Sequence, residues 1–462
     1  MNSGANRARA FRMVALTAAL ATVGALLTMS APTAVAADQA PAQASVFTTG
    51  YTGGRTVTLS FDADWWSPGE VDYVLSVLRS NGITAAFGLT GRYAERYPDQ
   101  TRAIVAAGHK LVNHSYDHPY FTDLTQAQRW AQLDAAEAAY NRLGLTSAGW
   151  FRAPYRDGYL DAGVNRDIAL RGYYISFDWT FDTTGYLGAS QSVILDRVRR
   201  YTVPGAIVIM HIGEGSTDPQ NLTAIIATLR GLGYGFTTPY LTVTKGLIGA
   251  KYAALGAQRS PLGSARTAEL VATTSGTAVQ WFQGGRVYWR QNVGAFEVHG
   301  AILERYVALG TVNSLLGFPI TDETTTPDQV GRFNHFQGGS IYWSPASSSH
   351  EVHGAIRDKW AALGWERGVL GYPVTDELVI GAGRVSRFQG GNVYWSAATL
   401  AHEVHGAILN RYVSLGEASG RLGFPVTDVL ATTSGLYSNF QNGRITWNST
   451  TGVVTVAYSV RR

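Results

Sequence analysis

The stretch TVTLSFDAD, residues 56–64, sets the character of the first half of the chain. Its apolar residues alternate with polar ones, the period of two that is typical of a β-strand. Residues two apart on an extended backbone share a face, so Asp62 and Asp64 are expected to project side by side. Two carboxylates at a strand end suit a divided task, one binding a metal and one handling a proton. A strand that runs into an Asp-containing turn is the simpler alternative.

Downstream of this stretch, short apolar strands alternate with helices of 3.6-residue period. The predicted strands are 85–89, 110–112, 172–178 and 206–211, and the predicted helices are 69–80, 100–107, 124–143 and 222–232. This alternation predicts an α/β fold with a parallel sheet. Active residues of such folds collect at the carboxyl ends of strands.

Two histidines four residues apart, His114 and His118, are the strongest chemical signal. This spacing predicts that they lie on one face of a helical turn, close enough to hold one metal ion. With a carboxylate from elsewhere they would suit zinc for hydrolysis or iron for oxygen chemistry. The simpler alternative is a pair of polar residues before a turn at Pro119.

The N-terminus has the pattern of a secretory signal peptide. Arginines at 7, 9 and 12 precede an apolar run, and Ala34-Val35-Ala36 forms a cleavage site. We expect residues 1–36 to be removed, 37–49 to be a leader, and the mature protein to be secreted without a membrane segment. An uncleaved membrane anchor is the alternative reading. The chain of 462 residues has no cysteine. Its net charge of +4 favours an anionic partner such as a wall polymer. Binding to nucleic acid is not indicated, because the sequence has no run of Lys and Arg.

Five short motifs follow in order between about residues 55 and 240. They are Ser60-Phe61-Asp62-Ala63-Asp64, His114-Ser115-x-x-His118, Arg152-Ala153-Pro154-Tyr155, Asp182 with Tyr186, and Ile209-Met210-His211. Together they resemble the polysaccharide deacetylases, the NodB-homology domains of carbohydrate esterase family 4. The resemblance implies a distorted (β/α) barrel over residues 50–245 and a bound divalent metal, with zinc as first choice.

The resemblance also implies a role for each matched residue. Asp62 would be the base, His211 the acid that protonates the leaving amine, and Arg152 the residue that orients Asp62. The backbone N–H of Tyr155 would stabilise the oxyanion. The metal ligands would be Asp64, His114 and His118, and the sugar would contact Trp65, Trp66, Pro154, Tyr155, Trp179 and Tyr186.

Two positions depart from the family pattern. Ala63 stands where the family has its metal-binding Asp, so that role is assigned to Asp64. Gly185 and Tyr186 replace the usual Asp-Trp, which leaves Asp182 and Asp178 as candidates for the carboxylate that tunes His211.

The second half, residues 246–460, is an internal repeat of four copies with a period of 54 and then 52 residues. Phe-Gln-Gly-Gly recurs at 282, 336 and 388, and Leu-Gly-Phe-Pro at 316 and 422, with Leu-Gly-Tyr-Pro at 370. Each copy is predicted to hold a short helix and a hairpin in a mixed α+β domain. The copies resemble LGFP repeats, which implies attachment to the cell wall. His350-Glu351 and His402-Glu403 with the following histidines are interpreted as structural.

These observations predict a secreted, metal-dependent deacetylase of an N-acetylated polysaccharide, with peptidoglycan as the first substrate. Chitooligosaccharide and acetylxylan are the next substrates, and a wall-binding protein without activity is the alternative class. A chain that ends near Lys245 is expected to fold alone and keep activity, unless the repeats pack on the barrel.

Overall fold

The computed structural model describes residues 39–51, 54–213 and 215–459. The predicted signal peptide lies outside these residues. Among the helices of the described part, none has the length and apolarity that crossing a membrane requires.

The first domain consists of nine strands with helices between them. The strands are β1 (Ser45–Phe47), β2 (Thr56–Ala63), β3 (Ala86–Leu89), β4 (Lys110–Asn113), β5 (Trp150–Phe151), β6 (Ile175–Phe177), β7 (Phe181–Asp182), β8 (Ile207–His211) and β9 (Gly235–Phe236). The helices are α1 (Val71–Ser80), α2 (Gly91–Arg96), α3 (Pro98–Ala106), α4 (Gln126–Asn141), α5 (Ala162–Ala169), α6 (Gln191–Tyr201), α7 (Asp218–Gly231) and α8 (Pro239–Thr242). The α/β prediction is therefore confirmed.

The nine strands form one curled parallel sheet. Their order is β1-β6-β5-β4-β3-β2-β8-β7, and β9 pairs with the start of β2. The edges approach each other because Thr49 bridges Ala206 and the Gly50 N–H donates to the Gly205 carbonyl over 2.8 Å. This confirms the predicted distorted barrel. It also places β1 in the segment that was predicted to be a leader, so the barrel begins before residue 50.

Strand β2 separates the two layers of the barrel as its alternation predicts. Val57, Leu59 and Phe61 are fully buried in the core beneath the helices. Thr58 and Ser60 point the other way, where Thr58 bonds to Thr242 and Ser60 to Arg152. Asp62 follows them on this inner face, so the strand period directs its carboxylate to the barrel mouth.

The second half contains four similar units, each a helix followed by a four-stranded antiparallel sheet. The helices are α9 (Gly246–Ala254), α10 (Gly300–Leu309), α11 (Gly354–Ala362) and α12 (Gly406–Ser414). The sheets are β10 to β13 (Leu270–Val271, Thr277–Trp281, Gly285–Arg290, Gly294–His299), β14 to β17 (Thr324–Thr325, Arg332–His335, Gly339–Ser344, Ser348–His353), β18 to β21 (Leu378–Ile380, Gly383–Arg387, Gly391–Ser396, Leu400–His405) and β22 to β25 (Leu430–Thr432, Gly435–Phe440, Gly443–Asn448, Val454–Tyr458). The predicted mixed α+β repeats are confirmed.

Neighbouring units share their cores and are joined by repeated ion pairs. Tyr306 of α10 packs on Tyr288 of the preceding unit and on Phe336 of its own. A basic residue of each of the first three repeat helices pairs with an aspartate of the next unit: Lys251 with Asp322, Arg305 with Asp376, and Lys359 with Asp428. Units of this size cannot bury a core alone, so stacking stabilises each of them.

The first unit packs directly on the barrel. Trp150 of β5 donates its indole N–H to the Ala265 carbonyl over 2.6 Å, and Gln280 donates to the Val243 carbonyl over 3.0 Å. Trp150 and Tyr240 belong to one hydrophobic cluster with Phe282 of the first hairpin. The structure therefore shows repeats that pack on the barrel, which was the alternative to a barrel that is independent of them.

Candidate active site

The predicted site residues meet at one edge of the sheet. Asp62 and His211 are register partners on the adjacent strands β2 and β8. His114 directly follows β4, and Arg152 directly follows β5. Parallel strands end at a common edge, so side chains far apart in sequence converge there.

A cavity of about 570 Å³ opens at this edge. The residues that line it are Asp62, Ala63, Asp64, Trp66, His114, His118, Tyr155, Trp179, Asp182, Tyr186, His211, Ile212, Gly213 and Ser216. Every predicted catalytic or metal-binding residue except the buried Arg152 is among them. A cavity of this size suits a small part of a polymeric ligand.

The histidine pair is brought together by a loop, so the predicted helical turn is wrong. Ser115 and His118 both adopt left-handed backbone angles, with φ of 65° and 63°. The Ser115 hydroxyl accepts the His118 N–H over 3.0 Å and fixes the loop. The two imidazole Nε2 atoms nevertheless lie 3.0 Å apart.

Hydrogen bonding sets the tautomer of His114. Its Nδ1 lies 3.0 Å from the Arg152 carbonyl, which can only accept, so Nδ1 donates and Nε2 carries the lone pair. Burial lowers the pKa of His114, and burial together with His114 lowers the pKa of His118 to about 3. Both rings are therefore neutral, the form that binds metals.

These two rings fit two positions in the coordination shell of a divalent metal. A metal-binding histidine normally donates its other ring N–H to a carbonyl or carboxylate, as His114 does. Within residues 39–51, 54–213 and 215–459, no group of three His, Cys, Asp or Glu side chains is close enough to hold an ion as it stands. A third ligand would have to come from a cavity carboxylate that moves toward the pair.

Asp62 and Asp64 both line the cavity, as the same-face prediction requires, although Asp64 lies beyond the end of the strand. Strand β2 ends at Ala63, and the Asp64 carboxylate accepts the Trp66 N–H over 3.2 Å in a local turn. Burial raises the pKa of Asp64, an effect that His114 and His211 oppose. Asp64 thus lines the cavity from a turn beyond the strand, where interaction with both imidazoles tends to lower its pKa.

Asp62 is held by a buried arginine. Arg152 Nη1 donates to Asp62 Oδ1 over 2.6 Å, and Nη2 donates to Ser60 over 2.6 Å. Asp62 Oδ2 is 3.6 Å from His114 Nε2. Burial alone would raise the pKa of Asp62, but Arg152, His114 and His211 outweigh it and the pKa is lowered. Asp62 is an oriented, ionised carboxylate that can accept a proton.

The carboxylate nearest to His211 is one that the sequence analysis did not consider. Asp218 Oδ2 lies 3.9 Å from His211 Nδ1 and accepts the His211 backbone N–H over 2.8 Å. Asp178 instead binds Arg156 over 2.7 Å, and burial raises its pKa to about 6. Asp182 accepts the Thr184 N–H and lines the cavity. Asp218 follows Ser-Thr and precedes Pro, so its sequence context indicates only a helix start.

The electrostatics of His211 follow from this arrangement. Burial would lower its pKa, but Asp218, Asp62 and Asp182 outweigh burial and the pKa is raised. An imidazole whose pKa is raised, close to a carboxylate whose pKa is lowered, gives the cavity one group suited to donate a proton and one suited to accept it.

Aromatic rings form the rim of the cavity, although not all of the predicted ones. Tyr155 and Tyr186 are about half exposed, and Tyr155 stacks on Tyr120 at 4.2 Å. Trp65 does not line the cavity and contacts Arg92, whereas Trp66 lines it and is 63% exposed. Pro154 is buried behind the rim. Tyr155 has a φ of 57°, a strained angle of the kind that collects at functional sites.

Comparison with known proteins agrees with this geometry. The polysaccharide deacetylase family model matches residues 49–173, and the LGFP repeat model matches residues 262–314, 316–368, 370–420 and 422–462. The four repeats are therefore confirmed.

Individual relatives cover mainly the barrel. A peptidoglycan-N-acetylglucosamine deacetylase of Bacillus cereus is 28% identical over 36% of this chain and 60% of its own. A family 4 pseudoenzyme structure from Bacillus anthracis is 26% identical over 42% of this chain and 66% of its own, with a TM-score of 0.38. The chain spans 53% and 60% of the length of two of the curated relatives it matches.

One relative is matched over most of its length. It is a chitooligosaccharide deacetylase of Sinorhizobium fredii, 30% identical over 37% of this chain and 79% of its own. With five motifs converging on one cavity of a curled parallel sheet, this match shows that the chain belongs to the polysaccharide deacetylase family, carbohydrate esterase family 4.

Proposed function

We propose that this protein is a secreted, metal-dependent deacetylase that removes N-acetyl groups from a polysaccharide of the cell wall. The observation that carries the proposal is the content of one cavity. It joins an arginine-held carboxylate, Asp62, two imidazoles with lowered pKa, His114 and His118, and an imidazole with raised pKa, His211. Hydrolysis of an amide needs a base, a group that polarises the carbonyl, and an acid, and these residues would supply the base, the ligands of a polarising metal, and the acid.

Each residue has a distinct task in this reaction. A divalent metal, when bound, would polarise the acetamide carbonyl and lower the pKa of water. Asp62 removes a proton from the attacking water, and Arg152 keeps Asp62 directed into the cavity. His211 gives a proton to the leaving nitrogen, without which an amine is a poor leaving group. The Tyr155 N–H would donate to the carbonyl oxygen as charge develops.

His114 and His118 would hold the metal with Asp64 as the third ligand. The support for Asp64 is its position on the cavity wall and its interaction with His114. We expect His118→Ala and Asp64→Ala to lower the bound zinc measured by elemental analysis. Asp182→Ala, which removes another cavity carboxylate, should keep the metal. Full zinc occupancy in Asp64→Ala would assign the third ligand elsewhere.

Peptidoglycan is the proposed substrate because LGFP repeats support residence at the cell wall. Chitooligosaccharide is the second choice, because one relative is named a chitooligosaccharide deacetylase and another a peptidoglycan deacetylase. Acetylxylan, an ester substrate, is the third. The test is acetate release from these three polymers, with and without a chelator and after zinc is restored. Release from peptidoglycan that stops with chelator and returns with zinc is the expected result.

The repeats are proposed to attach the enzyme to the wall, after export by the predicted signal peptide. Several linked copies would raise the effective concentration of weak sites. Full-length protein should sediment with insoluble wall, whereas a chain that ends after His299 should not. Equal sedimentation of the two would contradict attachment through the later repeats.

A wall-binding protein without activity is the second candidate. It is favoured by Ala63, which replaces the family's metal-binding aspartate, and by the lack of a ready third ligand in the described part of the chain. Zinc that fails to bind, together with no acetate release from any of the three polymers, would select this candidate.

A further inference from the structure

His211 has a buried ring nitrogen with no hydrogen-bond partner among the residues that the structure describes. This atom is Nδ1. Asp218 Oδ2 is 3.9 Å away, which is longer than a hydrogen bond but short enough for an ion pair. Contacts of this kind often tighten only when substrate binds.

Asp218 is fixed at this place from two sides. Its side chain is fully buried. One carboxylate oxygen accepts the Thr183 hydroxyl over 2.6 Å, and the other accepts the His211 backbone N–H over 2.8 Å. The carboxylate therefore cannot turn away from the imidazole without breaking both bonds.

The space for this carboxylate exists because residue 185 is glycine. A Cβ added at Gly185 would lie 2.6 Å from Asp218 Oδ2 and still closer to Oδ1 and Cγ. Real Cβ atoms do not approach other atoms this closely, so a side chain at 185 and the present position of Asp218 exclude each other. The present position of Asp218 therefore depends on glycine at residue 185, which is 33 residues away in the chain.

The structure assigns Asp218 as the positioning residue of His211, seated in the space that Gly185 leaves and directing the Nε2–H of the ring into the cavity. The carboxylate faces the Nδ1–H and stabilises the protonated ring. When the carbon–nitrogen bond breaks, its electron pair stays on nitrogen and takes the Nε2 proton, and the ring becomes neutral. The destination of this proton rests on the proposed deacetylase function, whereas the Asp218–His211 pairing does not.

A merely structural role for Asp218 is the alternative to be tested. Asp218 is the first residue of α7, and it also bonds to the hydroxyl-rich loop before that helix. In this case its loss would lower the melting temperature without changing how the His211 ring titrates.

The main test is NMR titration of histidine-labelled full-length protein, with the His211 signal identified by its absence in His211→Gln. In Asp218→Asn the pKa of His211 should fall by about one unit, the size of one lost neighbouring charge. The other titratable groups around the ring are Asp62, Asp64, Asp182, His114, His118 and Tyr186, and all of them are unchanged in this variant. Asp178→Asn, a buried carboxylate bound by Arg156, is the matched control and should leave the titration unchanged. An unchanged His211 pKa in folded Asp218→Asn overturns the assignment.

Gly185→Ala tests the same pairing without changing any charge, and it serves if Asp218→Asn does not fold. Its methyl group must push the Asp218 carboxylate away, so the pKa of His211 should fall here too. A His211 titration identical to that of the parent protein would overturn the assignment.

Kinetics on acetylated oligosaccharide separate this inference from the proposed function. Asp218→Asn should lower kcat about tenfold or more, within the range that acid–base help supplies, with KM and zinc content nearly unchanged. A parent protein that releases no acetate would contradict the proposed function, and the NMR titration would still decide the pairing. An active parent with unchanged kcat in Asp218→Asn would overturn the positioning role.

Discussion

Gly88 on β3 determines where the Asp62 carboxylate can lie. The two residues are register partners on neighbouring strands. A Cβ added at Gly88 would overlap Asp62 Oδ1 and lie 3.4 Å from Arg152 Nη1. We expect Gly88→Ala to displace Asp62 from Arg152 and to lower kcat for acetate release by about tenfold or more, as loss of an oriented base predicts.

Gly231→Ala is the matched control for this change. It adds the same methyl group at the end of α7, where nothing lies within 4 Å. Activity should stay at the parent level, and stability should rise slightly because alanine favours helix. If both alanine variants had full activity, the steric role of Gly88 would be wrong.

The Asp62–Arg152 pair predicts a second result at the same scale. Asp62→Asn retains the shape and one acceptor oxygen but cannot take a proton. Turnover should fall by about 10² to 10⁴ with zinc content retained. The melting temperature should also fall, because Arg152 is fully buried and loses its anionic partner. Near-parent turnover in kinetic assays would mean that Asp62 is not the base.

Among the elements, the repeat sheets carry a histidine between two carboxylates. His353 Nδ1 lies 2.7 Å from Glu351, and its Nε2 lies 3.4 Å from Glu377. The hydrogen bond that His353 donates to Glu351 raises the pKa of His353 against the effect of burial, while Arg384 lowers this pKa. His299 and His405 each contact the glutamate two residues before them, Glu297 and Glu403 respectively. This supports the structural interpretation of these histidines.

This contact predicts a pH dependence of stability with a defined sign. A folded-state pKa above the unfolded value of about 6.5 means that the folded state binds the proton more tightly. The stabilisation is fully present below that pH and is lost as pH rises through the folded pKa. We expect the melting temperature to fall as pH rises above about 6.5, and to fall less in Glu351→Gln. Glu304→Gln, an exposed carboxylate on α10, should keep the parent slope, and equal slopes in all three proteins would contradict the prediction.

For the whole molecule, the junction between barrel and repeats decides where the chain can be cut. Trp150, Tyr240 and Phe177 share a cluster with Ile248, Tyr252 and Phe282 of the first unit. A chain that ends at Lys245 would uncover these rings, and truncating one large aromatic contact in a core already costs about 3 to 5 kcal/mol. We therefore expect this chain to unfold at lower temperature or to aggregate, contrary to the expectation from sequence.

A chain that ends after His299 is the control for this truncation. It retains the first unit, and the described cavity is lined only by residues up to Ser216. It should unfold at a higher temperature than the chain that ends at Lys245, because the barrel rings stay covered, and it should release acetate from small oligosaccharides. Equal melting temperatures for the two truncated chains would show that the first unit does not stabilise the barrel.

Local patterns in the sequence determined the elements and most of the site. The period of two in residues 56–63 predicted β2, and the helical periods predicted α1, α4 and α7 within a few residues. The motif order predicted that Asp62, His114, Arg152 and His211 converge, because carboxyl ends of parallel strands must meet. Repetition at fixed spacing predicted four units. All of these features depend on residues close together in the chain or on one topological rule.

Only the tertiary structure decided the features that depend on space between distant residues. Asp218 fills the place opposite Gly185, and Gly88 makes room for Asp62, because side-chain volume is shared between neighbouring elements. The His114–His118 contact comes from left-handed loop residues, which the i, i+4 spacing alone cannot distinguish from a helical turn. Of the two adjacent tryptophans predicted for the groove, Trp66 lines the cavity and Trp65 does not, because β2 ends at Ala63 and the chain then leaves the strand period. Packing of the first repeat on Trp150 follows from an apolar surface assembled by several strands, which no single segment of sequence displays.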